Sequence, residues 1–268
     1  MLKDITIGQY FPGNSIIHRM DSRFKIVLDI IYVVMLFVAQ NFMSLAVAAI
    51  FIFMVYGISG IKFKLMLKSL KPIVPIVIFT AVLNLFFIKG ADAPLIDWWI
   101  FTVYREGIQT SIFMIIRIVC LIVGMSLLTY TTSPIILTDA IESLLSPLKK
   151  LHFPVHELAM MMTIALRFIP TLVEETDKIM MAQKARGASL DTGGLLKKAK
   201  ALVPILIPLF VSAFKRANEL AMAMECRCYR GGEGRTRLRQ LKSSPIDYAA
   251  AALVLVVFGF VIVNNIVF

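Results

Sequence analysis

Two arginines stand where oily, methionine-rich helical stretches break off. One is in IMMAQKARGAS, as Ala185-Arg186-Gly187. The other is in LAMAMECRCYRGG, as Cys226-Arg227-Cys228, with the next glycines at Gly231 and Gly232. A guanidinium is a planar fork of donors that matches a carboxylate. One such ending is ordinary, because glycine commonly sits just past a helix and a cation in the last turn complements the helix dipole. Two of them in one region point further. A helix that stops at a protruding guanidinium is a rigid plug, and a pair of plugs suits docking into acidic grooves on two equivalent partners.

Other residue types with chemical potential are sparse. The cysteines are Cys120, Cys226 and Cys228. The last two form a C-x-C in a basic segment with no neighbouring histidine, which is poor for zinc and reads as reduced thiols in the cytosol. Of the three histidines, His152 and His156 are four apart. They have the spacing of metal ligands, but two ordinary interfacial histidines are the simpler reading. The sequence has no phosphate-cradling glycine loop ending in Lys-Ser or Lys-Thr, no H-E-x-x-H, no G-x-S-x-G and no acidic cluster for magnesium. No catalysis, no cofactor and no resident metal are expected.

The elements that position the arginines follow from composition. The chain has 268 residues, 59% of them hydrophobic and 17% charged, with a mean hydropathy of +0.82. A soluble domain is about half apolar and a quarter charged. The chain is therefore read as an integral membrane protein whose partner is the lipid bilayer. Its net charge of +11 is assigned to loops held in the cytoplasm rather than to nucleic acid. Five runs are long enough to cross: FKIVLDIIYVVMLFVAQ from Phe24, FMSLAVAAIFIFMVYGI from Phe42, PIVPIVIFTAVLNLFFI from Pro72, GIQTSIFMIIRIVCLIVGMSLLTY from Gly107, and IDYAAAALVLVVFGFVIVNNIVF from Ile246. Basic flanks (Arg19, Arg23, Lys25; Lys62 to Lys71; Arg235 to Lys242) put the N-terminus in the cytoplasm. The Trp98-Trp99 loop and the C-terminus then lie outside. No cleavable signal peptide is read at the polar N-terminus.

The expected fold is an all-α integral membrane protein with about five transmembrane helices and a cytoplasmic region of long, proline-bent amphipathic helices. Residues 1–131 form a four-span membrane domain, 132–245 the coupling-helix region, and 246–268 the last span. Within the middle region SPIILTDAIESLLSPLKKL opens with Ser133 as N-cap and Pro134 at the first helical position. Two apolar cores follow, LAMMMTIALRFIPTLV with Pro170 and ALVPILIPLFVSAF with Pro204 and Pro208. Each is short for a span and then turns amphipathic, with Glu174 and Lys178 at helical-pair spacing. If both cores crossed the bilayer, the count would be seven. Inside the spans, Arg117 marks a functional or structural site, and Asp29 is its nearest candidate partner by sequence. The methionines of the coupling helices fit either an adaptable surface or ordinary gap-filling.

Three long stretches carry a family likeness: GQYFPGNSIIHRMDSRFK, ALRFIPTLVEETDKIMMAQKARG and RANELAMAMECRCYRGGEGRTR. Together they resemble the transmembrane T components, EcfT, of energy-coupling factor transporters, along nearly the whole chain. The resemblance implies a subunit of the bacterial cell membrane. It would join two cytoplasmic ATP-binding-cassette ATPases, an EcfA-type pair, to a small membrane S component that binds a vitamin or metal ion. Arg186, with Ala185 and Gly187, and Arg227, with Cys226 and Cys228, would be the ATPase-docking residues. The second motif departs from the family's usual Ala-Arg-Gly, and its glycine is displaced to Gly231. Two other functions compete. One is the permease of an ordinary ATP-binding-cassette importer, a homodimer with its own substrate route. The other is a membrane-embedded lipid enzyme, which needs an acidic or histidine cluster that the sequence lacks.

Overall fold

The computed structural model describes residues 10–88, 96–98, 101–151, 153–188, 194–231 and 241–267. Its elements are α1 (Ile16–Arg19), α2 (Ser22–Val38), α3 (Phe42–Ser59), α4 (Phe63–Leu70), α5 (Val74–Phe87), β1 (Ile96–Trp98), β2 (Phe101–Val103), α6 (Arg105–Thr131), α7 (Pro134–Leu145), a 3-10 helix (Ser146–Leu151), α8 (Val155–Ala185), α9 (Leu195–Cys226) and α10 (Pro245–Val267). The chain divides into two compact units. One is Gly8–Leu137 with Gln240–Phe268; the other is Thr138–Arg239 with Met1–Ile7.

In the first unit α2, α3, α6 and α10 bury a seam of Met35, Leu36, Leu45, Ala48, Val123 and Val261. The opposite faces are apolar but exposed, as at Ile30, Phe37, Ile50, Met125, Val256 and Ile266. Such an inversion is what a lipid solvent demands. Backbone polarity is satisfied within helices and apolar side chains face outward.

Polar side chains lock the two ends of this bundle. At one end the Asp21 carboxylate caps α2 by accepting from Arg23 N–H at 2.9 Å, and it pairs with the Arg23 guanidinium at 2.7 Å. Burial pushes the Asp21 pKa up, but the Arg23 hydrogen bonds and the charges of Arg23 and Lys25 outweigh it. The group is held below its usual range. Asp247, fully buried in the first turn of α10, accepts the backbone N–H of Asp21 at 3.0 Å and that of Ser244 at 2.6 Å. Lys25, read from sequence only as a basic flank, is buried; its Nζ donates to the Thr131 carbonyl at 3.1 Å. At the other end Asn264 donates to Ser44 Oγ at 2.9 Å, and Asn265 donates to the Val38 carbonyl.

All five expected runs are helical, with two revisions. The run from Pro72 begins as helix only at Val74, and the basic segment before it is itself helical. Thus α4 and α5 form one broken element bent by 59° at Lys71 to Ile73. Pro72 supplies no backbone donor, which is a sufficient cause of the break. The stretch between α5 and α6, expected as a loop, contains a short antiparallel hairpin pairing Ile96 with Val103 and Trp98 with Phe101. Trp99 and Asp92 lie outside the described residues.

Five helices among the described residues are long and apolar enough to cross a membrane: α3, α6, α8, α9 from Lys200, and α10. The bent α4–α5 pair makes a sixth. At 17 residues α2 is at the short limit of a span. Both α8 and α9 are long and apolar enough to cross, although their apolar cores alone read as short for a span.

Candidate functional site

The second unit presents α8 and α9, of 31 and 32 residues, to one another. Before them, Ser133 caps α7: its hydroxyl accepts from Ile136 N–H at 3.4 Å and Pro134 is the first helical residue. His156, in the first turn of α8, places Nδ1 3.0 Å from the buried Glu142 carboxylate of α7. That contact gives His156 a structural partner, while His152 lies outside the described residues. No group of three metal-ligating side chains occurs among the described residues.

Both α8 and α9 end in the same backbone motif. In α8 the N–H of Ala188 donates to the Gln183 carbonyl at 3.0 Å, and the N–H of Gly187 to that of Lys184 at 3.0 Å. In α9 the N–H of Tyr229 donates to the Met224 carbonyl at 3.1 Å, and the N–H of Cys228 to that of Glu225 at 2.9 Å. These are the paired bonds of a Schellman ending, which closes on a residue in left-handed conformation. Gly187 supplies it at φ 85° and Cys228 at φ 55°. The glycine is therefore not displaced in any geometric sense. Cys228 occupies the glycine's place, although a side chain there costs about 1–2 kcal/mol. Gly231 is left-handed as well, at φ 86°, one turn farther on. Arg186 and Arg227 occupy equivalent positions, each the last residue before the left-handed one, and both are exposed. Ala185, Cys226 and Cys228 are exposed beside them.

The helices meet well before these ends. Glu175 of α8 binds Arg216 of α9 at 2.9 Å and accepts a short hydrogen bond from Ser212. Farther along α8, the Gln183 side-chain amide donates to the Pro204 carbonyl at 3.4 Å. That carbonyl is free because Pro208, four residues on, has no N–H to return to it. The paired prolines therefore do more than bend α9: they expose an acceptor that α8 uses. Pro170, inside α8, likewise leaves the carbonyl of Leu166 without its helical donor. Sequence reasoning weighed Glu174 with Lys178 and passed over Glu175, Ser212 and Arg216. Among the described residues the ion pair forms across the helices, not along one.

The expected Arg117–Asp29 pair does not form. The Arg117 guanidinium donates to the Ala39 carbonyl at the C-terminal end of α2 and lies 4.7 Å from the centre of the Phe113 ring. Four carbonyls at a helix end have no internal partner, and a cation is favoured there. Asp29 lies beside Gly124, seven residues along α6 from Arg117, or about 10 Å by helical rise.

The cobalt transport protein family matches residues 13–238. The energy-coupling factor transporter transmembrane protein EcfT of Clostridium kluyveri is 56% identical over 99% of this chain and 98% of its own. The protein of the same name from Ruminiclostridium cellulolyticum is 50% identical over the full length of both. That of Bacillus subtilis is 49% identical over 90% of this chain and 91% of its own.

Proposed function

This chain belongs to the EcfT family, the multi-pass transmembrane coupling subunits of energy-coupling factor transporters, and on that premise we propose that Arg186 and Arg227 dock it onto two cytoplasmic ATPases of the ATP-binding-cassette type. The observation that carries the reading is the matched pair of Schellman endings, which presents two exposed guanidiniums in equivalent backbone settings. Arginine suits an acidic groove, because its fork binds carboxylate bidentately. The chain has no phosphate-binding motif, so an external ATPase is the source of energy for uptake. In this reading α8 and α9 carry the ATPases' motion to a small membrane S component, which binds the vitamin or other micronutrient. The N-terminus and the arginine ends face the cytoplasm, as the basic flanks require. The chain itself is non-catalytic.

The test is affinity purification of the tagged chain in mild detergent. Two ATPase subunits and a small apolar membrane protein are expected with it. In the double variant Arg186→Glu, Arg227→Glu the ATPases should be lost while the chain still inserts. Truncating one member of a buried charge pair costs about 2–5 kcal/mol, and reversal costs at least that. Undiminished ATPase recovery from the double variant refutes the docking role. Recovery of a homodimer alone, transporting without a separate S component, would instead indicate an ordinary importer permease.

A further inference from the structure

In the unit built by α2, α3, α6 and α10 there is a cavity of about 340 Å³. Small-molecule sites fall at about 300–1,000 Å³, apolar with a few placed polar groups. Aliphatic side chains such as Ile52, Val55, Leu127 and Leu253 make most of this wall. Gly124 in the lining lets α6 approach α2 closely, because a Cβ there would come within 2.8 Å of the Tyr32 ring and 3.6 Å of Asp29 Oδ1.

The polar groups of the lining differ in what they have left to bind. Lys25 stands four residues before Asp29 on α2, where an ion pair along the helix would be possible. It is committed elsewhere: its Nζ donates to the carbonyls of His18 and Thr131 and to Thr132 Oγ1. Thr131 donates its hydroxyl to the Leu127 carbonyl at 2.8 Å. Arg117, earlier along α6, is held at Ala39. Asp29 is left with neither ion pair nor hydrogen bond among the described residues. The Tyr32 hydroxyl, on a residue 2% exposed, is buried with no hydrogen-bond partner there, and its polar neighbours are the Cys120 thiol and Asp29. An ionisable side chain at membrane depth is expensive unless something pairs with it, and so marks a site by default.

We propose that this cavity binds a small lipid-soluble amine. The ammonium sits on the Asp29 carboxylate, and the alkyl body fills the aliphatic part of the wall. Charge chooses this occupant. A carboxylate- or phosphate-headed amphiphile would meet Asp29 as a like charge, and an uncharged one would gain no ion pair from it. The Tyr32 and Phe51 rings, 6.4 Å apart, add faces that attract a cation. The proposal does not depend on the docking role of the arginines.

The experiment uses the full chain in phosphatidylcholine nanodiscs with a decylamine probe carrying a diazirine and an alkyne. After illumination, the crosslinks should map to cavity-lining stretches of α2, α6 and α10. Excess decylamine should suppress them and decanol should not. Asp29→Asn should lower the labelling by about tenfold or more, as expected when one charge pair worth about 1.4 kcal/mol is lost. Ala250→Phe, which fills the cavity from α10 and leaves Asp29 in place, should abolish the labelling as well. It also stands as the deciding variant if Asp29→Asn does not insert. Equal competition by decanol, or label spread over all lipid-facing helices, overturns the proposal. So does unchanged labelling in a variant that inserts normally.

Discussion

Glu175 and Arg216 hold α8 to α9 across 2.9 Å, and each stands eleven residues before the arginine that ends its own helix. Eleven residues of helix measure about 16 Å. Contacts run in opposite senses along the two helices, since Glu175 meets Arg216 while Gln183 meets the earlier Pro204. The two arginine ends therefore leave the crossing in opposite directions on arms of equal length. Both arms are free of proline; Pro170, Pro204 and Pro208 all precede the crossing.

If this pair fixes the crossing, Glu175→Gln with Arg216→Met should affect transmission more than stability. Both side chains are partly exposed, so the pair is worth about 0.5–1 kcal/mol and the melting temperature should move little. Substrate imported per ATP hydrolysed, measured in proteoliposomes with the ATPases and an S component, should fall several-fold. An unchanged ratio would show that the crossing needs no ionic clasp.

The left-handed residue at each helix end makes a second prediction, with opposite signs at the two sites. Gly187→Ala should destabilise α8's end by about 1 kcal/mol, and Cys228→Gly should stabilise α9's end by a similar amount. Amide hydrogen exchange over the last turn of each helix reads this directly. Faster exchange after Cys228→Gly would contradict the assigned geometry.

The prolines of α9 make a third. Pro204→Ala with Pro208→Ala returns an N–H to the Pro204 carbonyl, straightens the helix and takes away the acceptor of Gln183. ATPase association should persist, since Arg227 is untouched, while imported substrate per ATP declines. Gln183→Leu alone should reproduce part of that decline. Normal coupling in both variants would reduce the prolines to a packing role.

How much of this was legible in the sequence differs from residue to residue. The helices and the Ser133–Pro134 start follow from local rules of periodicity and capping, and both appear as expected. Cys228 was not legible, because nothing local announces that a non-glycine residue will accept positive φ. Pairing Arg117 with Asp29 failed for a different reason. Opposite charges were matched along the membrane, whereas the buried guanidinium found the carbonyl end of α2. Gln183, Glu175 and Arg216 needed the crossing itself, which no window of sequence contains.

Orientation gives a fourth prediction. By the positive-inside rule the basic flanks would put the α5–α6 connection outside and the α8–α9 connection inside. In a background without native cysteines, Ala93→Cys should react with an impermeant thiol reagent on intact cells and Ser189→Cys should not. Both positions lie outside the described residues. Labelling in the reverse order would invert the whole topology.

The bond from Asp21 N–H to Asp247 ties residues 226 positions apart. It also sets an order of assembly. Chains emerge N-terminal end first, so α2 enters the membrane long before α10 is made. Until then the backbone donor of Asp21 lacks its Asp247 acceptor, and the seam that α2 shares with α3, α6 and α10 is incomplete. The bundle is closed only by its last helix. A chain stopped short of α10 would carry an open flank and an unpaired backbone donor at Asp21.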